Sequence, residues 1–479
     1  MLYYSRMRQA TSWLAALVVV VSVFVSFAPA VQAAYSQEQK IAIPSSAAFD
    51  FADHSAVTPD GSRMIIGARG KEAAYIYVRS GTTWTLEQQI TGSDTVAGDN
   101  FGNSVAITSD GSRVVVGSYR QALNDPGAVY VFSRSGATWT EEQKLTASDI
   151  GAGINGYFGY SVGIADDGSR LIVGARGGRN GALAATGSAY IFTRSGVTWT
   201  EEQELNASDG VVSDYFGGAV AIDSTGTRVA IGASRRNTYT GAVYVFSRSG
   251  VTWTEEQIVT ASDGTNYDEF GYEFSVSLDD AGTRMAVGAY GYTGGNYTGA
   301  VYVFSRSGVT WTEEQKLLAS DTATGSLFGV STALTGDGAT LSVGAYGVGS
   351  YQGAGYVFAR VATTWSESEK ITAADGAASD QFGITTAIVD DGSRVFFGSD
   401  VNSSAGAIYV FTAAAAAPAT VSGGSSSLCT GELRVTLAPG SSVDSLHLDS
   451  GVIQSGTLYP VACGTHTVSA VPSTQGMSV

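Results

Sequence analysis

The stretch that decides the fold runs Phe216-Gly217-Gly218-Ala219-Val220-Ala221-Ile222, turns at Thr225-Gly226, and resumes as Arg228-Val229-Ala230-Ile231-Gly232-Ala233. It continues through Gly241-Ala242-Val243-Tyr244-Val245-Phe246 and Thr252-Trp253-Thr254-Glu255-Glu256-Gln257. These are four short strand-like runs parted by turn residues. Close copies recur along the chain. Trp84, Trp139, Trp199, Trp253, Trp311 and Trp365 stand 55, 60, 54, 58 and 54 residues apart. The turn before the second strand occurs seven times, at Asp60-Gly61, Asp110-Gly111, Asp167-Gly168, Thr225-Gly226, Ala281-Gly282, Asp337-Gly338 and Asp391-Gly392. A repeat of this size marks a solenoid, propeller or array. Four strands per unit, with no helical segment between copies, predict an all-β, seven-bladed β-propeller of four-stranded antiparallel blades.

Residue sizes fit a wedge. In the second unit the strands fall near 102–108, 113–118, 127–133 and 138–146. Small residues such as Gly117-Ser118, Gly174-Ala175 and Gly288-Ala289 recur in the second strand, where blades crowd a central channel. Tyr, Phe and Trp recur in the third and fourth strands, where there is room. The repeated Trp is expected to pack between blades. Glu141-Glu142, Glu201-Glu202, Glu255-Glu256 and Glu313-Glu314 are expected to form a charged outer face that keeps the ring soluble.

The ends of the array are unequal. After Ile408-Tyr409-Val410-Phe411 no Trp-Thr-Glu-Glu-Gln strand follows, yet Ser36-Gln37-Glu38-Gln39-Lys40-Ile41 stands near the other end. The N-terminal strand is therefore expected to complete the last blade and close the ring, removing exposed edges. This divides the chain into a leader at 1–34, a propeller at 35–412, an Ala/Ser/Gly linker at 413–427 and a small β module at 428–479. The module carries no wall-sorting or anchoring motif, which is what a fragment of a longer surface protein would show.

The leader places Arg6 and Arg8 before an apolar run from Trp13 to Phe27 and a small-residue region at Pro29–Ala34, the pattern of a secretory signal peptide. An uncleaved anchor is the alternative, although the run is short for a bilayer span. The mature chain is expected at the cell surface or outside the cell. Cys429 and Cys463, the only two cysteines, then read as one disulfide. Net charge is −17, and loss of Arg6 and Arg8 deepens it to −19. No basic stripe offsets this, which argues against nucleic acid as a partner. Abundant glycine suits short strands joined by tight turns, and the 10% of aromatic residues argues against disorder.

Phe101-Gly102 with Val116-Gly117-Ser118, Phe158-Gly159 with Val173-Gly174-Ala175, and Phe328-Gly329 with Val343-Gly344-Ala345 resemble the FG-GAP repeat. Phe216-Gly217, Phe270-Gly271 and Phe382-Gly383 are further openings, while Phe51-Ala52 departs from the pattern. The approach Ala207-Ser208-Asp209 to Asp214-Tyr215-Phe216-Gly217 resembles the form common in bacterial secreted proteins. The resemblance implies the seven-bladed propeller of the integrin α-subunit head, a binding platform without catalytic chemistry. Such repeats often hold calcium through Asp-x-Asp-x-Asp-Gly. Here the hairpin reads Thr108-Ser109-Asp110-Gly111-Ser112-Arg113, with one carboxylate where a hard cation wants several oxygens. Asp263, Asn266 and Asp268, or Asp209 with Asp214, are the remaining oxygen clusters, and turn capping explains them equally well. No cofactor is expected.

Catalytic patterns are scarce. His54 has no second ligand to share a metal. Gly159-Tyr160-Ser161-Val162-Gly163 matches the hydrolase nucleophile pattern, but inside a strand rather than at a strand–helix turn. Copies differ most between the second and third strands, at 120–126, 177–186, 235–240, 290–298 and 346–352. Tyr239, Tyr292, Tyr297 and Tyr351 in these loops are amphipathic side chains suited to contact with protein or glycan. The reading is a non-catalytic, exported, monomeric propeller that binds an extracellular protein or glycan. A propeller-borne polysaccharide-active enzyme and a structural spacer are the alternatives.

Overall fold

Val229, Ala230, Ile231, Gly232 and Ala233 are all buried, although a strand with one wet face would bury alternate residues only. The cause is that each sheet is covered on both sides by its neighbours. The computed structural model describes residues 34–42, 51–120, 126–150, 156–178, 186–291, 296–321, 323–400 and 406–414, and short strands between Thr420 and Pro472. Blades 1 to 6 span 51–90, 101–145, 158–205, 219–259, 276–317 and 331–371, each a four-stranded antiparallel sheet in sequential order. Blade 7 combines Thr386–Ile388, Arg394–Ser399 and Ala407–Ala413 with the N-terminal strand Tyr35–Ala42. The expected closure is present, in antiparallel register from Tyr35 opposite Ala413 to Ala42 opposite Ala407.

The hydrophobic core is divided among the blade interfaces. One face of each third strand meets the preceding blade and the other meets the next. In blade 2, Val129 and Val131 join Phe158, Tyr190, Phe192 and Trp199 of blade 3. Tyr130 and Phe132 join Ile65, Ile76 and Ile90 of blade 1. The last interface repeats the arrangement, with Ile41, Ile408 and Val410 of blade 7 against Phe51, Tyr75 and Trp84 of blade 1. A single blade would expose both faces, so the ring is stable only as a ring.

The paired glutamates are not the solvent-facing strip that the repeat pattern suggested. Each outer strand carries a β-bulge, at Glu142 between Glu141 and Gln143 in blade 2 and at Glu38 between Gln37 and Gln39 in blade 7. A bulge re-aims the extra side chain, and here it turns the second glutamate into the interface. Glu202 lies 8% exposed, takes a hydrogen bond from Trp253 Nε1 at 3.0 Å and pairs with Arg248 at 2.5 Å. Glu142 likewise accepts from Trp199 Nε1 at 3.0 Å and pairs with Arg113 at 3.2 Å. The first glutamate also binds the neighbouring blade. Glu201 accepts from Ser148 N and Oγ at 3.0 and 2.8 Å, and Glu255 from Ser208 at 3.1 and 2.8 Å. The recurring Trp packs between blades as expected.

A separate unit beyond the ring has a four-stranded sheet of Thr420–Ser422, Thr467–Pro472, Val443–Leu448 and Gly451–Ile453, and pairs Gly431–Arg434 with Leu458–Val461. Thr420–Ser422 falls inside the stretch read as linker. Cys429, Cys463 and the leader through residue 33 lie outside the described residues. Among the described residues no helix is long and apolar enough to cross a membrane.

Candidate ligand-binding face

Antiparallel blades send two sets of connections to one side of the ring: the loops between second and third strands, and those between blades. Backbone hydrogen bonds fasten the two sets together. Glu269 N donates to Tyr239 O at 2.7 Å, Leu327 N to Tyr297 O at 2.9 Å, and Gln381 N to Tyr351 O at 2.8 Å. The three acceptor tyrosines therefore hold equivalent positions on blades 4, 5 and 6. All three have left-handed backbones, with φ of 64°, 55° and 65°. Glycine would adopt this conformation without strain, so tyrosine is retained there at a cost.

Each of these rings meets another tyrosine. Tyr239 stacks on Tyr267 with centroids 5.6 Å apart and planes at 23°. Tyr297 stacks on Tyr290 at 6.3 Å and 24°, and Tyr351 lies 6.2 Å from Tyr346 at 31°. Tyr297 and Tyr351 are 41% and 49% exposed. Between them lies a cavity of about 250 Å³ lined by Tyr290, Tyr297, Gly325, Leu327, Tyr346 and Tyr351. Burial, and then the nearby Glu269 carboxylate, raises the Tyr290 hydroxyl pKa, and burial raises that of Tyr346, so both stay protonated donors. Two of the sequence-chosen tyrosines thus line one cavity, and Tyr239 belongs to the adjoining interface. Tyr292 lies outside the described residues.

Tyr267, Tyr290 and Tyr346 escaped the sequence reading. Tyr290 and Tyr346 directly follow the Gly-Ala pair of the second strand (Gly288-Ala289-Tyr290 and Gly344-Ala345-Tyr346), a regularity that could have found them. Also unforeseen is a polar knot joining blade 3 to Glu273, just before the first strand of blade 5. Tyr160 donates its hydroxyl to Glu273, and Arg176 Nη1 sits 3.1 Å from the same carboxylate oxygen. The Arg176 guanidinium lies 3.6 Å over the Tyr160 ring, and Arg235 lies 3.9 Å over Tyr215. These contacts hold the loops of blades 3 to 5 together.

The other chemical candidates have structural employment. His54 Nδ1 accepts from Val105 N at 3.2 Å, its ring meets Phe274 at 4.3 Å, and burial lowers its pKa to about 4. Ser161 donates to Gly217 O at 3.0 Å, as Ser104 does to Gly159 O at 2.9 Å and Ser331 to Gly383 O at 3.1 Å. The hydroxyl of the nucleophile-like motif is therefore one of a set that ties inner strands together. Asp209 and Asp263 accept from Tyr244 and Tyr302, both at 2.6 Å, and Asp214 and Asp268 cap Val211 N and Thr265 N at 2.9 and 2.7 Å. Among the described residues no group of three or more His, Cys, Asp or Glu side chains is arranged to hold a metal ion.

At the opposite mouth of the channel the hairpin turns form a chain of bonds. Ser109 N donates to Asp166 O at 3.4 Å, Asp166 N to Ser224 O at 3.1 Å, Ser224 N to Asp280 O at 3.1 Å, and Asp280 N to Gly336 O at 3.0 Å. Gly336 N then reaches Asp390 Oδ1 at 3.2 Å, and Asp390 N reaches Pro59 O at 3.1 Å. Burial, then Asp280 and Asp390, lifts the Asp166 pKa to about 6. Burial, then Asp390, lifts Asp280 to about 6 as well.

The FG-GAP repeat family matches residues 84–132, 139–192, 199–246, 253–304, 311–358 and 365–411. Each match begins at the recurring Trp of one blade and ends in the third strand of the next. No curated protein sequence matches the chain. Among solved structures, the Kuenenia stuttgartiensis hydrazine synthase is similar at 11% identity and a TM-score of 0.53, over 78% of this chain and 99% of that one. The Cps50 (Swd1) β-propeller domain of Myceliophteria thermophila is similar at 9% identity and a TM-score of 0.52, over 80% and 100%. At such identities the likeness concerns fold alone.

Proposed function

Because the chain belongs to the FG-GAP repeat family, we propose that it is a non-catalytic binding module, exported to the cell surface or beyond, whose loop face holds an extracellular protein or glycan. The observation that carries this reading is the set of tyrosines at 239, 297 and 351, kept in left-handed backbone on three successive blades. A rigid scaffold that spends strain on aromatic side chains at one rim is built to present them. A spacer would have no use for that expense. An enzyme acting on polysaccharide would need free carboxylates facing one another, whereas Glu273 on this side is engaged by Tyr160 and Arg176.

The module works as a single ring and needs no cofactor. The test is to screen the purified full chain against arrayed extracellular proteins and glycans, beside a variant with Tyr239, Tyr297 and Tyr351 all changed to serine. Binding lost in the variant at unchanged melting temperature supports the reading. Binding indifferent to the three changes would remove the loop face from the function. Turnover of a polysaccharide by the wild-type chain would replace the reading with a catalytic one.

A further inference from the structure

Two neighbouring blade junctions carry different residues at one equivalent backbone position, and the difference bears on a binding slot. At the junction of blades 4 and 5, Tyr267 N donates to Thr238 O at 3.2 Å. At the junction of blades 5 and 6, Gly325 N donates to Asn296 O at 2.9 Å. Thr238 precedes Tyr239 as Asn296 precedes Tyr297, so Tyr267 and Gly325 are structural counterparts. Their backbones agree too, with φ of 70° and 80°. In the first junction the Tyr267 ring stacks on Tyr239. In the second, a Cβ placed on Gly325 would meet nothing within 4 Å. Gly325 instead lines an open cavity of about 250 Å³ together with Tyr297 and Tyr351.

We propose that this slot between blades 5 and 6 binds one pyranose ring of a neutral glycan, seated against the tyrosines where Tyr267 seats itself one junction earlier. The inference rests on the binding-module reading and gives it a ligand class. A six-membered ring is the right occupant because the neighbouring junction is filled by one. The volume falls short of the about 300 Å³ at which sites for drug-sized ligands begin, so a single ring is accommodated. Sugar rings offer an apolar face for stacking and hydroxyls at the edge. The lining supplies flat tyrosine faces and the hydroxyls of Tyr297, Tyr346 and Tyr351, while the Tyr290 hydroxyl is bonded to Glu269. The lining carries no charged side chain, and the chain has a net charge of −17. Both features disfavour uronic or sulfated sugars and suit a neutral one. An aromatic side chain of a partner protein would need a wider apolar surround to form a stable interface of about 1,200–2,000 Å². Around this slot the loops are built from Gly347, Gly349, Ser350, Asn296 and Thr298 instead.

The experiment probes immobilised cellohexaose, mannohexaose, xylohexaose and maltohexaose, and a phage library of aromatic-containing peptides, with the full chain and two variants. Gly325→Tyr refills the slot with the residue that the neighbouring junction already tolerates, so folding is expected to persist and a melting curve checks it. Tyr297→Ala removes a stacking face. The expected result is binding to at least one neutral hexaose, lost in Gly325→Tyr and weakened about tenfold in Tyr297→Ala. Hexaose binding that survives Gly325→Tyr overturns the slot. Peptides that bind and are blocked by Gly325→Tyr, with no hexaose bound, overturn the glycan class but leave the binding module standing. Silence toward all the hexaoses overturns the glycan proposal, and silence toward the peptides as well counts against the binding module.

Discussion

The side-chain amide of Gln88 in blade 1 docks on the backbone of Trp139 in blade 2, accepting its N–H at 2.8 Å and donating to its carbonyl at 2.9 Å. Gln39 serves Trp84 in the same way across the closing junction, at 2.7 and 3.1 Å. Gln143, Gln203, Gln257 and Gln315 repeat the arrangement on Trp199, Trp253, Trp311 and Trp365. One side chain thus acts as a surrogate strand between sheets that share no main-chain ladder there. Changing Gln203 to Leu orphans both backbone groups of Trp253 and is expected to cost about 1–3 kcal/mol, read by urea denaturation. A loss below about 0.5 kcal/mol would show that water replaces the amide without penalty.

The junction of blades 6 and 7 departs from this pattern. Glu369 takes the glutamine position and accepts from Tyr35 N at 2.7 Å. A carboxylate can only accept, so Glu369 makes one bond where the glutamines make two. Glu369→Gln is expected to raise stability by roughly 0.5–1 kcal/mol, measured as an upward shift in melting temperature.

The bulge residue Glu202 gives acid sensitivity of definite sign. Burial alone would raise the Glu202 pKa, but hydrogen bonds from Arg248 and Trp253 outweigh it and hold the group below the usual carboxylate range. Stability from this ionised group is present above its unfolded pKa and is lost as pH falls through the lower folded value. Glu202→Gln is therefore expected to destabilise by about 3 kcal/mol at pH 7, because it strands Arg248 in the interface. The deficit relative to wild type should shrink at pH 3. A pH-independent deficit would assign the loss to packing.

Asp166 and Asp280, at the mouth of the channel, have the opposite sign. The Asp166 pKa is raised to about 6, so the folded state holds more protons than the unfolded one between about pH 4 and 6. Its ionisation weakens the fold as pH rises through that window. Asp166→Asn is expected to raise the melting temperature at pH 7 by roughly 1–3 °C and to leave it unchanged at pH 4. An equal gain at both pH values would point to hydrogen bonding rather than charge.

Removing the closing strand should be severe. Tyr35 and Ile41 are buried, Tyr35 donates to Gly392 O at 2.5 Å, and Arg394 pairs with Glu38 at 3.0 Å. A chain that begins after Ala42 is expected to melt at least about 10 °C lower and to associate through the bared edge of Ala407–Ala413. A monomer with an unchanged melting curve would contradict the closure.

The blade count and the closing strand were legible because a missing copy of one strand at Phe411 and a spare copy at Ser36 are facts of letter order. The glutamates were misread because a period of two assigns faces correctly only until an extra residue intervenes. The bulge at Glu142 shifts the count by one and sends a charge inward. The slot was illegible for another reason. It depends on the open space at Gly325 between loops of two blades, and glycine there looks like any other turn glycine until it is set beside Tyr267.

The closing strand also sets a timetable. Glu38 and its partner Thr412 lie 374 residues apart in the chain. At roughly 5–20 residues per second, a ribosome makes the first strand about 20 to 75 seconds before anything exists for it to pair with. Through that interval Tyr35–Ala42 is an unclaimed sheet edge waiting at the front of the nascent chain. The keystone of this ring is the first stone cut and the last one set.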